Sequence, residues 1–298
     1  MTVELTAVVV SVQREQPLVL ATGGVGASAL PTARFNPNEQ PSLETALREA
    51  VLAATGRETG FLEQLSTHYE PSASAGDAQD GSDSCLLVSY LGLARADDTQ
   101  LAPGAGWIRC YDLLPWEDFR SGRPAVLGSH IMPALAAWAD AGIDPEIAAA
   151  RHERLHIAFA FGGRTWDDQR VVDRLDLIVE AGVTLPSMPA QLSPAHVRLV
   201  AAGLGRLRAK IRYRPVVFEL LSSEFTLFEL QRTVEAVLGP TLHKQNFRRL
   251  VEGTGLVEPT GDVRTNTGGR PAKTFRFRRE VLLERPAPGV HVRPGRAA

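Results

Sequence analysis

The chain has 298 residues, long enough for two domains with separate cores, and its 44% apolar and 22% charged content excludes a disordered or fibrous protein. Its formal net charge of −2 hides a division: residues 198–298 hold 19 Lys/Arg against 9 Asp/Glu, and residues 1–197 hold 13 against 25. Two cysteines, Cys85 and Cys110, make neither a disulfide framework nor a zinc spacing, no signal segment opens the chain and no apolar run spans a bilayer, so a cytoplasmic protein without membrane contact is expected.

In chain order, Thr6–Val12 and Leu18–Ala21 are apolar β-branched runs separated by a turn, which predicts a hairpin or meander. Residues 21–40 read as loop, and the Gly23-Gly24-Val25-Gly26 run within them is weak warrant for a phosphate loop. Ser42 is placed to cap a helix over Leu43–Ala54 with Leu43, Ala46, Leu47, Ala50 and Val51 inward, and Gly56 ends it. Strands are expected at Phe61–Tyr69, Cys85–Ala94 and Trp107–Leu114, with a polar connection at Pro71–Ser84. The pattern then turns helical over 131–185, at Met132–Ala139, Pro145–Ala160 and Asp167–Ala181. Ser193-Pro194 opens a further helix to about Lys210, followed by a cluster at Arg206, Arg208, Lys210, Arg212 and Arg214. A domain junction is placed between Leu185 and Ser193.

The C-terminal part is the most informative. Thr226 and Glu229 have capping-box spacing, and Leu227, Leu230, Val234, Val237 and Leu238 form one apolar helix face. Gly239-Pro240 stops that helix. A second helix from Thr241–Lys244 turns Phe247, Leu250 and Val251 inward, leaving Lys244, Gln245, Arg248 and Arg249 outside with Asn246 at the boundary. Leu256-Val257 and the alternating Phe275-Arg276-Phe277-Arg278 are short strands, joined by a Gly-rich basic connection with Gly268-Gly269-Arg270-Pro271 at its tip. Helix, tight turn, basic helix and basic hairpin are the layout of a winged helix-turn-helix, whose second helix enters a major groove. Amide and guanidinium groups of Gln245, Asn246, Arg248 and Arg249 suit base edges, beside Lys244, while Thr226, Arg232, Arg270 and Lys273 are expected at phosphates.

The segments SLETALREAVLAATGRETGFLEQLSTHYE (42–70), SYLGLAR (89–95), IRYRPVVFELL (211–221), FTLFELQ (225–231), HKQNFRRL (243–250) and GGRPAKTFRF (268–277) resemble the Nudix-related transcriptional regulators, bacterial repressors of NAD metabolism. The resemblance implies an α/β fold: a Nudix-like α/β/α sandwich over 1–190, with 131–185 as a helical extension, then a winged helix-turn-helix domain with its leading helix over 191–298. It also implies a homodimer on a palindromic double-stranded operator, controlled by ADP-ribose or a related nucleotide, with no cofactor. A hydrolytic Nudix helix needs paired acids to hold magnesium against a diphosphate. Here three registers place Leu52 and Ala53, Ala53 and Ala54, or Arg57 and Glu58 there, so the expected protein is not an enzyme and binds no metal. Arg34, Glu44 and Arg48 are the expected effector-binding residues, cationic donors suiting phosphate oxygens. Glu44 and Arg48 read equally well as an i,i+4 ion pair. Two other readings stay open: a divergent Nudix pyrophosphatase with a nucleic-acid-binding tail, and a repressor sensing a sugar or another nucleotide.

Overall fold

A computed structural model describes residues 1–24, 28–71, 84–95, 100–142, 144–185, 192–265 and 271–281. Two layers of helix enclose a sheet of order β4-β5-β1-β2-β6, with β3 also paired to β1. The strands are β1 (Thr2–Gln13), β2 (Gln16–Ala21), β3 (Thr32–Arg34), β4 (Phe61–Glu70), β5 (Cys85–Leu93) and β6 (Gly106–Arg109). β1 pairs in parallel with β5 and antiparallel with β2 and β3. A strand covered on both faces reads as a continuous apolar run, and β1 is buried from Leu5 to Val12. Its alternate residues Leu5, Ala7 and Val9 pack with Ala46, Leu47 and Val51 of α1 (Leu43–Thr55). Val8, Val10 and Val12 face the other layer.

α1 begins and ends as its sequence requires. The Ser42 hydroxyl accepts from the Thr45 N–H at 3.1 Å, and Gly56 closes the helix at φ +71°. Three features of this domain depart from the sequence reading. β3 lies inside the expected loop of 21–40. The expected strand at Trp107–Leu114 stops at Arg109, where the short helix α2 (Cys110–Leu113) begins. A π-helical turn, Leu127–Ile131, precedes α3 (Met132–Asp140). α4 (Pro145–Ala158) and α5 (Val171–Glu180) complete the helical segment. Most of the expected connection at Pro71–Ser84 and of the junction at Leu185–Ser193 lies outside the described residues, as do Val25 and Gly26.

α6 (Pro194–Tyr213), expected to lead the second domain, covers the second face of the sheet. A Cβ on Gly203 would stand 2.8 Å from Val8 Cγ1, so the missing side chain lets helix and strand meet. Arg208 and Lys210 of this helix's basic cluster are buried, and Arg206 and Arg212 pair with acids of the first domain. Arg206 and Lys210 pair with Glu63 of β4, and Arg212 forks onto Asp168 at 2.7 Å through both oxygens. Arg208 is fully buried.

Arg208 belongs to a buried ionic cluster. Glu117, from a turn after α2, receives Arg174 of α5 at 2.6 and 3.0 Å, and Arg208 of α6 bonds the same carboxylate. Arg208 Nε also donates to the Val237 carbonyl at 2.8 Å, and the Tyr111 hydroxyl donates to the Ala236 carbonyl at 2.7 Å. Those carbonyls end α7 (Leu227–Leu238), where helix groups lack intrahelical partners and the dipole favours a cation. The first domain thus caps the first helix of the second. Burial alone would push the Glu117 carboxyl up, but Arg174 and Arg208 outweigh it and hold it below the usual carboxylate range.

Removing one partner of a buried ion pair leaves the others uncompensated. Glu117→Ala should therefore cost about 3–5 kcal/mol of stability, seen as a lower urea midpoint. The Glu117 contribution is present above the ordinary carboxylate range and is lost as pH falls through the depressed folded value. Wild-type stability should thus fall more steeply with acid than that of Glu117→Gln, in urea titrations from neutral pH downwards.

Candidate nucleic-acid interface and effector pocket

The second unit is built on α7, α8 (Lys244–Thr254) and a sheet of order β7-β9-β8, formed by β7 (Glu224–Thr226), β8 (Val257–Arg264) and β9 (Ala272–Phe277). The expected connection after Thr260 is instead strand as far as Arg264, and β7 had no sequence signal of its own, being three residues long. The capping box at Thr226 and Glu229 is present in both directions, and Gly239 turns the chain at φ +100°.

The tight turn between α7 and α8 is fixed by Glu235, which is almost fully buried. Its Oε1 accepts from the Leu242 N–H and from Gln231 Nε2, each at 2.8 Å, while Gln231 also donates to the Leu242 carbonyl at 2.9 Å. A buried carboxylate needs a charge partner, and Arg232 supplies it at 3.1 Å. Phe247 and Val251 of α8 are buried, so the helix has one orientation on α7. On its other side Lys244, Gln245, Asn246, Arg248 and Arg249 are all exposed. Leu250 is half-buried, on the edge of the core. Arg248 makes an i,i+4 pair with Glu252 at 2.9 Å, exposed enough to open at little cost. Lys273 is exposed on β9 beside this helical unit.

Two residues expected at phosphates are used otherwise. The Thr226 hydroxyl is taken up by the Glu229 N–H at 3.2 Å and by the Glu229 carboxylate, and the residue is 3% exposed. Arg232 lies against the β1–β2 hairpin, 3.4 Å from Glu15, and lines a cavity of about 720 Å³ between the two units. The Thr226 hydroxyl is the helix cap that its spacing from Glu229 predicts, and the Arg232 guanidinium is held by Glu235 and Glu15. Arg270 lies outside the described residues.

In the first domain the structure brings Glu44 and Arg48 together as the i,i+4 pair, at 2.9 Å. Arg48 also donates to the Thr59 hydroxyl at 3.1 Å and the Gly60 carbonyl at 3.3 Å, tying α1 to the strand that follows. Arg34 is exposed on β3. None of the three lines the cavity of about 430 Å³ at the C-terminal end of α1. That cavity is lined by Leu52, Arg57, Glu58 and Arg95, and by Glu219 from a 3₁₀ turn, Val216–Leu220, that leads into β7. Gly60 admits Glu219: a Cβ there would lie 2.6 Å from its Oε2. Arg57 and Arg95 lie within the segments 42–70 and 89–95 that carry the resemblance, but no periodicity marks either of them as lining a cavity. On the far side of the turn, Phe218 stacks on Phe277 at 4.5 Å and lies 5.6 Å from Phe225. One short turn therefore touches both the cavity and the wing sheet. Among the described residues no helix is long and apolar enough to cross a membrane.

Comparisons with known proteins agree with this geometry. Residues 217–277 match the model of the NrtR DNA-binding winged helix domain. The ADPR responsive transcriptional repressor NtrR of Acinetobacter baylyi is 40% identical over 82 residues, which are 28% of this chain and 32% of that protein. The match thus spans about a third of the relative's length. The fold is that of Shewanella oneidensis NrtR, solved with a 27mer DNA, at a TM-score of 0.57 and 20% identity over 94% of this chain and 95% of that one. A MutT/nudix family protein from Enterococcus faecalis aligns at a TM-score of 0.53 and 15% identity, over 93% and 86% of the two chains.

Thr226→Ala should lower stability by about 0.5–2 kcal/mol through loss of the cap. A denaturant titration measures it, and an unchanged midpoint would return the hydroxyl to the list of free surface groups.

Proposed function

We propose that this chain, in which a winged helix of the NrtR type follows a domain of Nudix fold, is a DNA-binding transcriptional repressor that responds to a nucleotide such as ADP-ribose. The observation that carries the reading is the outer face of α8. Five polar or basic side chains stand together there, on a helix held by Phe247 and Val251 and by the turn around Glu235. Such a helix fits a major groove, where arginine forks suit guanine and amides suit adenine, while lysines at the rim hold phosphates. We take Lys244, Gln245, Asn246, Arg248, Arg249 and Lys273 as the contact set, with Arg270 as a further candidate. Two such helices in a homodimer would meet the halves of a palindromic operator. The Acinetobacter relative's name supplies the class of effector.

We place the effector in the cavity beside α1, where Arg57 and Arg95 offer cationic donors to phosphate oxygens. Hydrolysis is not part of the proposal. With α1 closed at Gly56, its exposed final turn carries Leu52, Ala53 and Ala54, whose side chains offer no oxygen to magnesium. The residues present do not fit a Nudix metal site, and no step is drawn through one. An anion entering beside Arg57 and Arg95 meets the Glu219 carboxylate and is repelled by it or displaces it. Displacement would move the Val216–Leu220 turn and, through Phe218, the wing. An effector acts to the extent that it binds one arrangement better than the other.

Arg249→Ala should weaken binding to a duplex isolated by selection with the purified protein about 5- to 150-fold if the side chain reads a base, and Lys244→Ala should reduce the slope of log affinity on log salt by about one. Gel-shift titrations at several salt concentrations measure both, and a wild-type chain with no salt-dependent duplex affinity would refute the repressor reading. Incubation with ADP-ribose and magnesium should release no AMP beyond the protein's own concentration. Glu219→Gln should tighten ADP-ribose binding in calorimetry, since it removes the competing carboxylate, and equal affinity in the two proteins would exclude this wall of the cavity.

A further inference from the structure

The helical segment 131–185 has no part in the function proposed above, yet its own loop between α4 and α5 frames a cavity of about 550 Å³ with the loop that precedes the segment. Four aromatic rings line that cavity: Phe119, Phe159, Phe161 and Trp166. Trp166 is the organising ring. Phe119 lies 4.8 Å from it, Phe159 meets it edge-on at 6.3 Å, and the Arg174 guanidinium covers it at 4.0 Å. Arg174 is itself fixed by the Glu117 carboxylate and by the Ala158 and Asp167 carbonyls. The ring cannot tip away without breaking that buried cluster, so this wall is preformed.

The loop that closes the cavity is held in an unfavourable shape. Ala160 sits in the left-handed region at φ +55°, and Gly162 and Gly163 follow at +69° and +79°. A residue with a Cβ is strained there and persists only where its surroundings impose it. His156 supplies the imposition. Its Nδ1 bonds the Phe161 carbonyl at 3.0 Å, and its ring would stand 3.1 Å from a Cβ on Gly162. Charge decides what the cavity suits. Arg123 and Arg164 line it and are exposed, and among its described lining residues none is acidic. A site of this size, with aromatic walls and a few convergent polar groups, is the usual form of a small-molecule pocket.

We infer that the cavity between Trp166, Phe161, Arg123 and Arg164 is a second ligand site, one that takes a planar aromatic anion. The ring system of the ligand lies among the aromatic side chains, and its anionic group meets the two guanidiniums. Nucleoside monophosphates and aromatic carboxylates share this chemistry. The site is separate from the cavity at Arg57 and Arg95 and stands whether or not that one binds a nucleotide.

The test uses the full chain and 8-anilinonaphthalene-1-sulfonate, an aromatic anion with a planar naphthalene ring system whose fluorescence rises on burial. Wild type should bind it saturably at one site. The double variant Arg123→Ala/Arg164→Ala, both exposed positions whose loss leaves the core intact, should bind at least tenfold more weakly. Arg95→Ala should bind as wild type does. AMP and salicylate are then added as competitors, and whichever displaces the probe identifies the source of the ligand. Equal binding by wild type and the double variant, a loss confined to Arg95→Ala, or displacement by neither competitor would each overturn the inference.

Discussion

The join between the two units is anchored on one buried carboxylate. Glu117 gathers the guanidiniums of Arg174 and Arg208, and Arg208 passes on to the terminal carbonyls of α7. Gly239, the residue that ends α7, approaches the Glu117 carbonyl so closely that a Cβ would lie 2.7 Å from it. The helix end, the cation and the carboxylate therefore have to be solved together. Such a cluster contributes less to net stability than its contacts suggest, because several kcal/mol of desolvation oppose each charge. Its role is geometric: few other arrangements of α5, α6 and α7 satisfy every buried charge, so the winged helix is set in one pose on the first domain.

That cluster also changes the meaning of the charge division in the sequence. The excess of cations after residue 197 looks like a surface prepared for a polyanion. In the fold, Arg206, Arg208, Lys210 and Arg212 are matched by Glu63, Glu117 and Asp168 from the acidic half. Arg232, Arg264 and Arg276 are paired within the basic half itself, with Glu235, Glu229 and Glu258. Much of the asymmetry is thus complementary charge between two parts of one molecule. Among the described residues, the exposed cations available to a duplex include Lys244, Arg248 and Arg249 on α8 and Lys273 on β9.

Local signals were legible because they need no distant partner. The caps at Ser42 and Thr226, the stops at Gly56 and Gly239, and the periodicity of α1, α7 and α8 all depend on residues within a few positions. The elements that went unread are those made by tertiary contact. β3 and β7 are three residues long and exist because β1 and β9 offer them edges. The run at Trp107–Leu114 is mostly apolar, with Arg109 and Asp112 inside it, and nothing in its pattern reveals that pairing with β2 ends at Arg109. Arg232 shows the same limit in the site itself. A guanidinium near a DNA-binding helix suits a phosphate by type, and only the positions of Glu235 and Glu15 decide that it is already engaged.

The two attachments of the winged helix differ in kind, and the difference bears on control. At the end of α7 the contact is dry, multiply bonded and closed, so a ligand has nothing to enter and nothing to compete with. At the Val216–Leu220 turn the contact is open on one side. Val216, Val217, Phe218 and Leu220 are buried against the protein, while Glu219 looks into a cavity that also holds two arginines. A bistable response needs an element whose two arrangements differ by only a few kcal/mol. The Glu117 cluster is too costly to break for that purpose, whereas a single half-buried carboxylate is within reach of one phosphate group. On the proposed reading, ligand-driven movement of the winged helix starts from the side of Glu219, with the Glu117 cluster as its fixed point.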